Sequence, residues 1–182
     1  MSAFANRGCA INTVSAVECW GYDDEGGLEP PAGAFEHVAT GGYHTCALTA
    51  GGSMECSGQD DYGQSTPPPG TFTAVNSGCY HSCAIDSDGL VHCWGQDLYG
   101  QTSDSPGGAF VQVGAGVYHT CAVDTDGNVE CWGLDDYGQS SDVPTGSFSE
   151  VAAGYNHSCA LSWDRGAVWC WGDDTYGQSS PP

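Results

Sequence analysis

The sequence predicts an all-β protein made of five copies of one hairpin-centred unit. Three observations carry this reading. Ten of the 11 cysteines fall into pairs: Cys9 with Cys19, Cys46 with Cys56, Cys83 with Cys93, Cys121 with Cys131, and Cys159 with Cys170. Their first members step by 37, 37, 38 and 38 residues, and such a fixed period marks a repeat protein. The 182 residues include 28 glycines and 9 prolines, which suits short strands and tight turns and disfavours long helices. A hydrophobic share of 40% with 11% aromatics is enough for a core, so the strong acidity of the chain does not mean disorder.

The copies occupy residues 1–33, 34–70, 71–108, 109–146 and 147–182 of a single repeat domain. A full copy opens on Phe-x-x-Val-x-x-Gly, runs through Tyr-His-Ser/Thr-Cys-Ala, turns, returns as Val-x-Cys-Trp-Gly and ends on an acidic Tyr-Gly-Gln tail. The first copy lacks the opening strand, since only eight residues precede Cys9, and it has Arg7 in the histidine slot. In the second, opening at Phe35, Cys56-Ser57-Gly58 replaces Cys-Trp-Gly. The third and fourth are complete from Phe72 and Phe110, and the fifth, from Phe148, has one extra residue in its turn at 163–166. The missing first strand leaves a hairpin edge that either templates another chain or is capped by the termini.

The spacing inside a copy sets the register. Opposing Cys83 to Cys93 puts Ala84 against His92, Ile85 against Val91 and Asp86 against Leu90, leaving a loop at 87–89. Gly89 then falls where a type I turn with a bulge needs positive φ, and Gly52 and Gly127 take the same place. Cysteines opposed across an antiparallel ladder are close enough to bridge. Five hairpin disulfides are therefore expected, each worth about 3 kcal/mol through loop closure. Zinc fits less well, because structural sites pair cysteines about two to four residues apart. Cys79 is left over, either for an intermolecular bond or as a buried thiol in the slot of Gly42 and Val117.

Charge narrows the partners. Two basic residues, Arg7 and Arg165, stand against 23 acidic ones, a formal net charge of -21 that opposes nucleic acid and anionic membranes. No apolar run reaches the roughly 18 residues of a membrane span, and the start has no signal-peptide pattern. Five cystines point to an oxidising compartment, hence a secreted or cell-surface protein.

The series Gly41–Leu48, Gly78–Ile85, Gly116–Val123 and Gly154–Leu161, each followed by Cys-Trp-Gly or Cys-Ser-Gly, resembles the repeats of the regulator of chromosome condensation family, in particular the short cysteine-containing bacterial versions. The resemblance runs from Cys9 to Gln178. It implies a β-propeller, or an open propeller-like array, used as a binding scaffold rather than an enzyme. Family members commonly close a ring of seven blades, whereas five copies are present here.

Hydroxyls, imidazoles and carboxylates recur at one phase, whereas an active site needs different groups converging on one point, so no catalytic residue is expected. His44, His81, His119 and His157 share a slot that reads as a hydrogen bond to turn backbone within each blade, with a metal ring as the competing reading. Asp23, Asp24, Asp60, Asp61, Asp97, Asp135, Asp136, Asp173 and Asp174 follow each Cys-x-Gly, either as solvated loops or as oxygen ligands for calcium, the one cofactor this pattern suggests. Tyr62, Tyr99, Tyr137 and Tyr176, with Trp20, Trp94, Trp132 and Trp171, read as packing between blades if buried and as a platform for protein or sugar if exposed. Trp163 and Arg165, in the longer fifth turn, break the repeat and are candidates for a partner-specific contact. Asn156-His157-Ser158 matches a glycosylation acceptor, and Ser/Thr beside proline at 65–67 and 179–181 could carry O-linked sugar.

The leading expectation is a secreted, non-enzymatic, disulfide-stapled binding module. A self-assembling extracellular filament or surface layer, using the open first edge, is the alternative, and a glycan-binding lectin the third.

Overall fold

The structure, a computed structural model, describes residues 1–23, 28–164 and 166–181. It contains five three-stranded antiparallel sheets, one per copy. They are formed by β1 (Ser2–Phe4), β2 (Arg7–Ile11) and β3 (Val17–Gly21); β4 (His37–Thr40), β5 (His44–Leu48) and β6 (Met54–Gly58); β7 (Phe72–Ser77), β8 (His81–Asp86) and β9 (Val91–Gly95); β10 (Phe110–Ala115), β11 (His119–Asp124) and β12 (Val129–Gly133); and β13 (Phe148–Ala153), β14 (His157–Ser162) and β15 (Val168–Gly172). No helix occurs among the described residues. The sheets pack in sequence order, each on the next, as an open array.

The register follows from the cysteines. Cys83 pairs with Cys93, Ala84 with His92 and Ile85 with Val91. The amide of Asp86 donates to Leu90 O, and Gly52, Gly89 and Gly127 have φ of 78°, 84° and 85°. All five expected disulfides are formed: Cys9 is bonded to Cys19, Cys46 to Cys56, Cys83 to Cys93, Cys121 to Cys131 and Cys159 to Cys170, with Cα–Cα distances of 4.0–4.1 Å. The two halves of a cystine differ in surroundings. Cys9, Cys46, Cys83 and Cys121, on central strands, are fully buried. Their partners Cys19, Cys56, Cys93 and Cys131 lie on the outer strands and are only partly buried, and in the fifth sheet both Cys159 and Cys170 are partly buried.

The first copy corrects one expectation. Its edge is not bare: β1 pairs with β2 through Ser2↔Cys9, Ala3↔Gly8 and Phe4↔Arg7. The turn between them is only Ala5 and Asn6, with Ala5 at φ 49°, so three residues suffice for a strand. Ser2 also ties this sheet to the second, since its Oγ accepts from the Thr40 amide at 2.9 Å and its carbonyl from Thr40 Oγ1 at 3.3 Å.

The apolar cores lie between sheets. Cys9, Val17, Phe35 and Ala47 cluster between the first and second; Cys46, Leu48, Phe72, Ala84 and Trp94 between the second and third; equivalent sets join the third to the fourth and the fourth to the fifth. Each buried phenylalanine is fixed by the preceding copy's turn. The amides of Phe72, Phe110 and Phe148 donate to the carbonyls of Gly52, Gly89 and Gly127 at 2.8–2.9 Å. In the first copy Ser15 holds that place, accepting from the Phe35 amide at 2.8 Å with φ 64°.

A left-handed conformation costs a residue with a Cβ roughly 1–2 kcal/mol. Ser15→Gly is therefore expected to stabilise the chain by about 1 kcal/mol, seen as a higher urea midpoint at unchanged slope.

Candidate interaction face

At one end of each sheet, the loop from first to second strand carries Gly-x-Tyr-His or its variant. These loops are bound to one another: the amides of Gly42, Cys79 and Val117 donate to the carbonyls of Gly78, Gly116 and Gly154, each at 3.1 Å. Glycine is required at Gly78, where a Cβ would collide with the Gly116 carbonyl and the His81 ring.

His44, His81 and His119 reach forward to the next blade, not within their own blade as the sequence suggested. His44 Nε2 bonds Ser82 Oγ at 2.7 Å, His81 Nε2 bonds Thr120 Oγ1 at 2.9 Å and His119 Nε2 bonds Ser158 Oγ at 2.8 Å. In the first copy Arg7 does the same work, with Nη1 on Gly42 O and Nη2 on Thr45 Oγ1. The three Nδ1 atoms are buried without a hydrogen-bond partner. Because the hydroxyls of Thr120 and Ser158 themselves donate to backbone carbonyls, the proton is on Nε2, so His81 donates to Thr120 and His119 to Ser158. The hydroxyls of Thr120 and Ser158 pass the bond on to the carbonyls of Gln101 and Gln139.

The same carbonyls receive the tryptophans. Trp94 Nε1 donates to Gln64 O at 2.9 Å, Trp132 to Gln101 O at 3.0 Å and Trp171 to Gln139 O at 2.9 Å. These three indoles are buried, whereas Trp20 is exposed. The glutamine side chains of Gln64, Gln101 and Gln139 are fully buried, and their Oε1 atoms accept the amides of Tyr62, Tyr99 and Tyr137. Tail and following blade thus form one joint, repeated along the chain.

The tyrosines are what this joint presents. Tyr43 stacks on Tyr80 with ring centres 5.2 Å apart, Tyr80 on Tyr118 at 6.5 Å, and Tyr155 meets Tyr118 edge-on at 6.4 Å. From the tails, Tyr62 abuts Tyr80 at 5.8 Å and Tyr99 abuts Tyr118 at 5.4 Å. Tyr62, Tyr99, Tyr137 and Tyr155 are about half exposed, and Tyr176 almost fully. A hydrogen bond with Tyr43, then burial, holds the Tyr80 hydroxyl well above the usual phenol range, and burial raises that of Tyr118. Both rings at the centre of the row are therefore neutral at physiological pH. Tyr43, Tyr80, Tyr118 and Tyr155 were not singled out in the sequence; their signal was the aromatic residue just before, or two before, each slot histidine.

The acidic loops flank the row because they share the tails with Tyr62, Tyr99, Tyr137 and Tyr176. Carboxylates of these loops are spent on backbone: Asp60 accepts from the Ser65 amide, Asp97 from Thr102 and Ser103, Asp135 from Ser140 and Ser141, and in the fifth copy both Asp173 from Thr175 and Asp174 from Ser179. Asp61 accepts from Gln59 Nε2, Asp136 is exposed, Asp173 bonds Thr175, and Asp23 Oδ1 accepts the Leu28 amide. Asp24 lies outside the described residues. Among the described residues no three His, Cys, Asp or Glu side chains converge as a metal cage.

Cys79, the free cysteine, sits half-buried with Sγ against Gly42. Burial pushes its thiol up to about 11, a hydrogen bond with Tyr80 opposing the shift; it is a thiol, not a thiolate. Asn156 is partly buried, and the hydroxyl of its partner Ser158 is enclosed by His119 and Gln139. Trp163 is exposed at the far end of the fifth sheet, away from the tyrosine row, and Arg165 lies outside the described residues.

Sheets joined in series through a buried polar belt, with short disulfide-closed hairpins, define a propeller-blade repeat protein. The regulator of chromosome condensation (RCC1) repeat matches residues 35–64, 72–101, 110–139 and 148–178, more than half of the chain, and the chain belongs to that family. No curated protein matches its sequence. Among solved structures it is similar to the ectodomain of the Physcomitrella patens receptor kinase CR4, at 26% identity and a TM-score of 0.82 over 97% of this chain and 52% of that one. It is similar to the CRINKLY WD40 ectodomain of the Arabidopsis thaliana receptor kinase ACR4, at 26% identity and 0.75 over 93% and 61%. Yeast RCC1 (Prp20), solved bound to Kap60, shares the fold at 19% identity and 0.74 over 93% and 54%. The chain thus spans about half to three-fifths of the length of these structures.

Burial holds His44, His81 and His119 neutral, lowering the pKa of His44 and His119 to about 4 and of His81 to about 3 from 6.5. Their folded pKa lies below the unfolded one, so the unfolded chain binds more protons, and stability is full above pH 6.5 and declines as pH falls toward about 4. Each such histidine adds a slope of up to about 1.4 kcal/mol per pH unit in that window. Urea titrations between pH 7 and pH 4 are expected to show this loss, and His81→Gln to make the slope shallower.

Proposed function

We propose that the chain is an extracellular, non-enzymatic interaction module that takes a basic protein segment on its tyrosine row. The observation that carries this reading is the row itself: aromatic rings from successive copies, partly exposed, set beside loops rich in aspartate. Tyrosine is the residue type of contact surfaces, offering large rigid area and a hydroxyl. With a formal net charge of -21, the chain attracts lysine and arginine, whose cations also favour ring faces. Five disulfides and the likeness to two receptor ectodomains support an extracellular setting.

One observation favours self-assembly as a second reading. The end sheets expose the two halves of the internal joint, Trp20 on the first and the tail with Tyr176 on the fifth. Against it, Gly8 stands where the other copies have the hydroxyl that receives the histidine, so His157 would find no partner there. The binding reading is the stronger one.

A panel of immobilised 12-residue peptides tests the first reading. Lys/Arg-rich aromatic peptides are expected to bind with salt-sensitive affinity, and Tyr118→Ala to weaken them about tenfold without lowering the melting temperature of the blades. Equal binding of acidic peptides, or an unchanged affinity in Tyr118→Ala, would contradict it; growth in particle size with concentration would favour self-assembly.

A further inference from the structure

The rim of the fifth sheet departs from the repeat in a way that architecture does not require. In the third and fifth copies the turn of the central hairpin faces the segment entering the first strand, leaving a groove at the outer rim. In the third copy this groove is walled by Gly70, Thr71, Phe72, Asp86, Ser87 and His92. In the fifth the equivalent groove, about 390 Å³, is walled by Ser147, Phe148, Ser162, Asp164, Ala167 and Trp169, with Thr145 at its edge.

Three changes distinguish it. Trp169, 53% exposed, faces Ala160 across the ladder, a place held by Glu18, Glu55, His92 and Glu130 in the other copies. The turn is one residue longer, and Trp163 on it is 70% exposed. Ser162 replaces the aspartate that, as Asp86 and Asp124, folds back onto its own turn amides. What sets Trp169 apart is not its exposure alone but its place in the wall of this groove, where every other copy has a polar side chain.

We propose that this groove is a binding site for a neutral hexose glycan. The chemistry of its wall selects that class. The Trp169 indole offers a flat face to the apolar C–H face of a pyranose ring. Serine and threonine hydroxyls with the Asp164 carboxylate offer donors and acceptors suited to sugar hydroxyls. An anionic sugar is disfavoured by a chain of formal net charge -21. A cavity of this size lies in the range of small-ligand sites and holds one or two sugar rings. The site is remote from the tyrosine row, and either can fail without the other.

The test titrates the full oxidised chain with cellohexaose, laminarihexaose, mannohexaose and, as the anionic comparison, hexagalacturonic acid. Tryptophan fluorescence and calorimetry are the readouts. At least one neutral hexaose is expected to bind in the micromolar to millimolar range and to shift the emission. Trp169→Glu, which restores the residue used by three other copies, and Ser162→Asp, which restores the aspartate of the third and fourth copies in the groove wall, are each expected to weaken it at least tenfold with the melting temperature kept. Binding of no neutral hexaose, a preference for the acidic one, or affinity untouched by both substitutions would overturn the proposal. Should one variant misfold, the other decides.

Discussion

Everything in this chain depends on the joint between one blade and the next. A three-stranded sheet has no core of its own; its apolar face is buried only when a second sheet covers it. Here the covering sheet also brings a fixed set of polar partners: an indole for the preceding tail's carbonyl and a hydroxyl for the preceding histidine. Hydrogen bonds leave little latitude in angle and distance, so the joint orients as well as covers. The tyrosine row is a consequence, because ring centres 5–7 Å apart require the blades to be set at a constant offset.

The disulfides do a different job. Each joins two strands of the same hairpin ten or eleven residues apart, from Cys9 with Cys19 in the first copy to Cys159 with Cys170 in the fifth, and none crosses from one blade to another. They limit the unfolded state of each unit but say nothing about how units dock. The polar belt supplies that, and its members change together: the second copy has Ser57 in place of tryptophan, and the first has no Tyr-Gly-Gln tail to offer it a carbonyl.

Periodicity made the hairpins legible. The opposed cysteines, the glycine at the turn and the phenylalanine that opens each copy fixed register and phase without reference to three dimensions. What a period does not tell is which copy a side chain meets. His81 opens its own central strand and Thr120 is the second residue of the next one, and only docking decides that the two touch; the spacing alone does not separate that contact from one within the blade. The tyrosine row was hidden for the same reason. The short strand Ser2–Phe4 was hidden for another: three residues are too few to show alternation, and its turn uses Ala5 rather than glycine at positive φ.

Hydrogen exchange by mass spectrometry on the oxidised chain, with and without Trp132→Phe, addresses the joint most directly. That change keeps an aromatic ring in the fourth sheet and removes the indole donor to Gln101 O. The account predicts lost protection in the preceding copy's tail, around residues 97–104, as well as at β12, while the first and second sheets stay protected. Lost protection confined to the fourth sheet's own strands, or none at all, would mean that the blades stand without the joint.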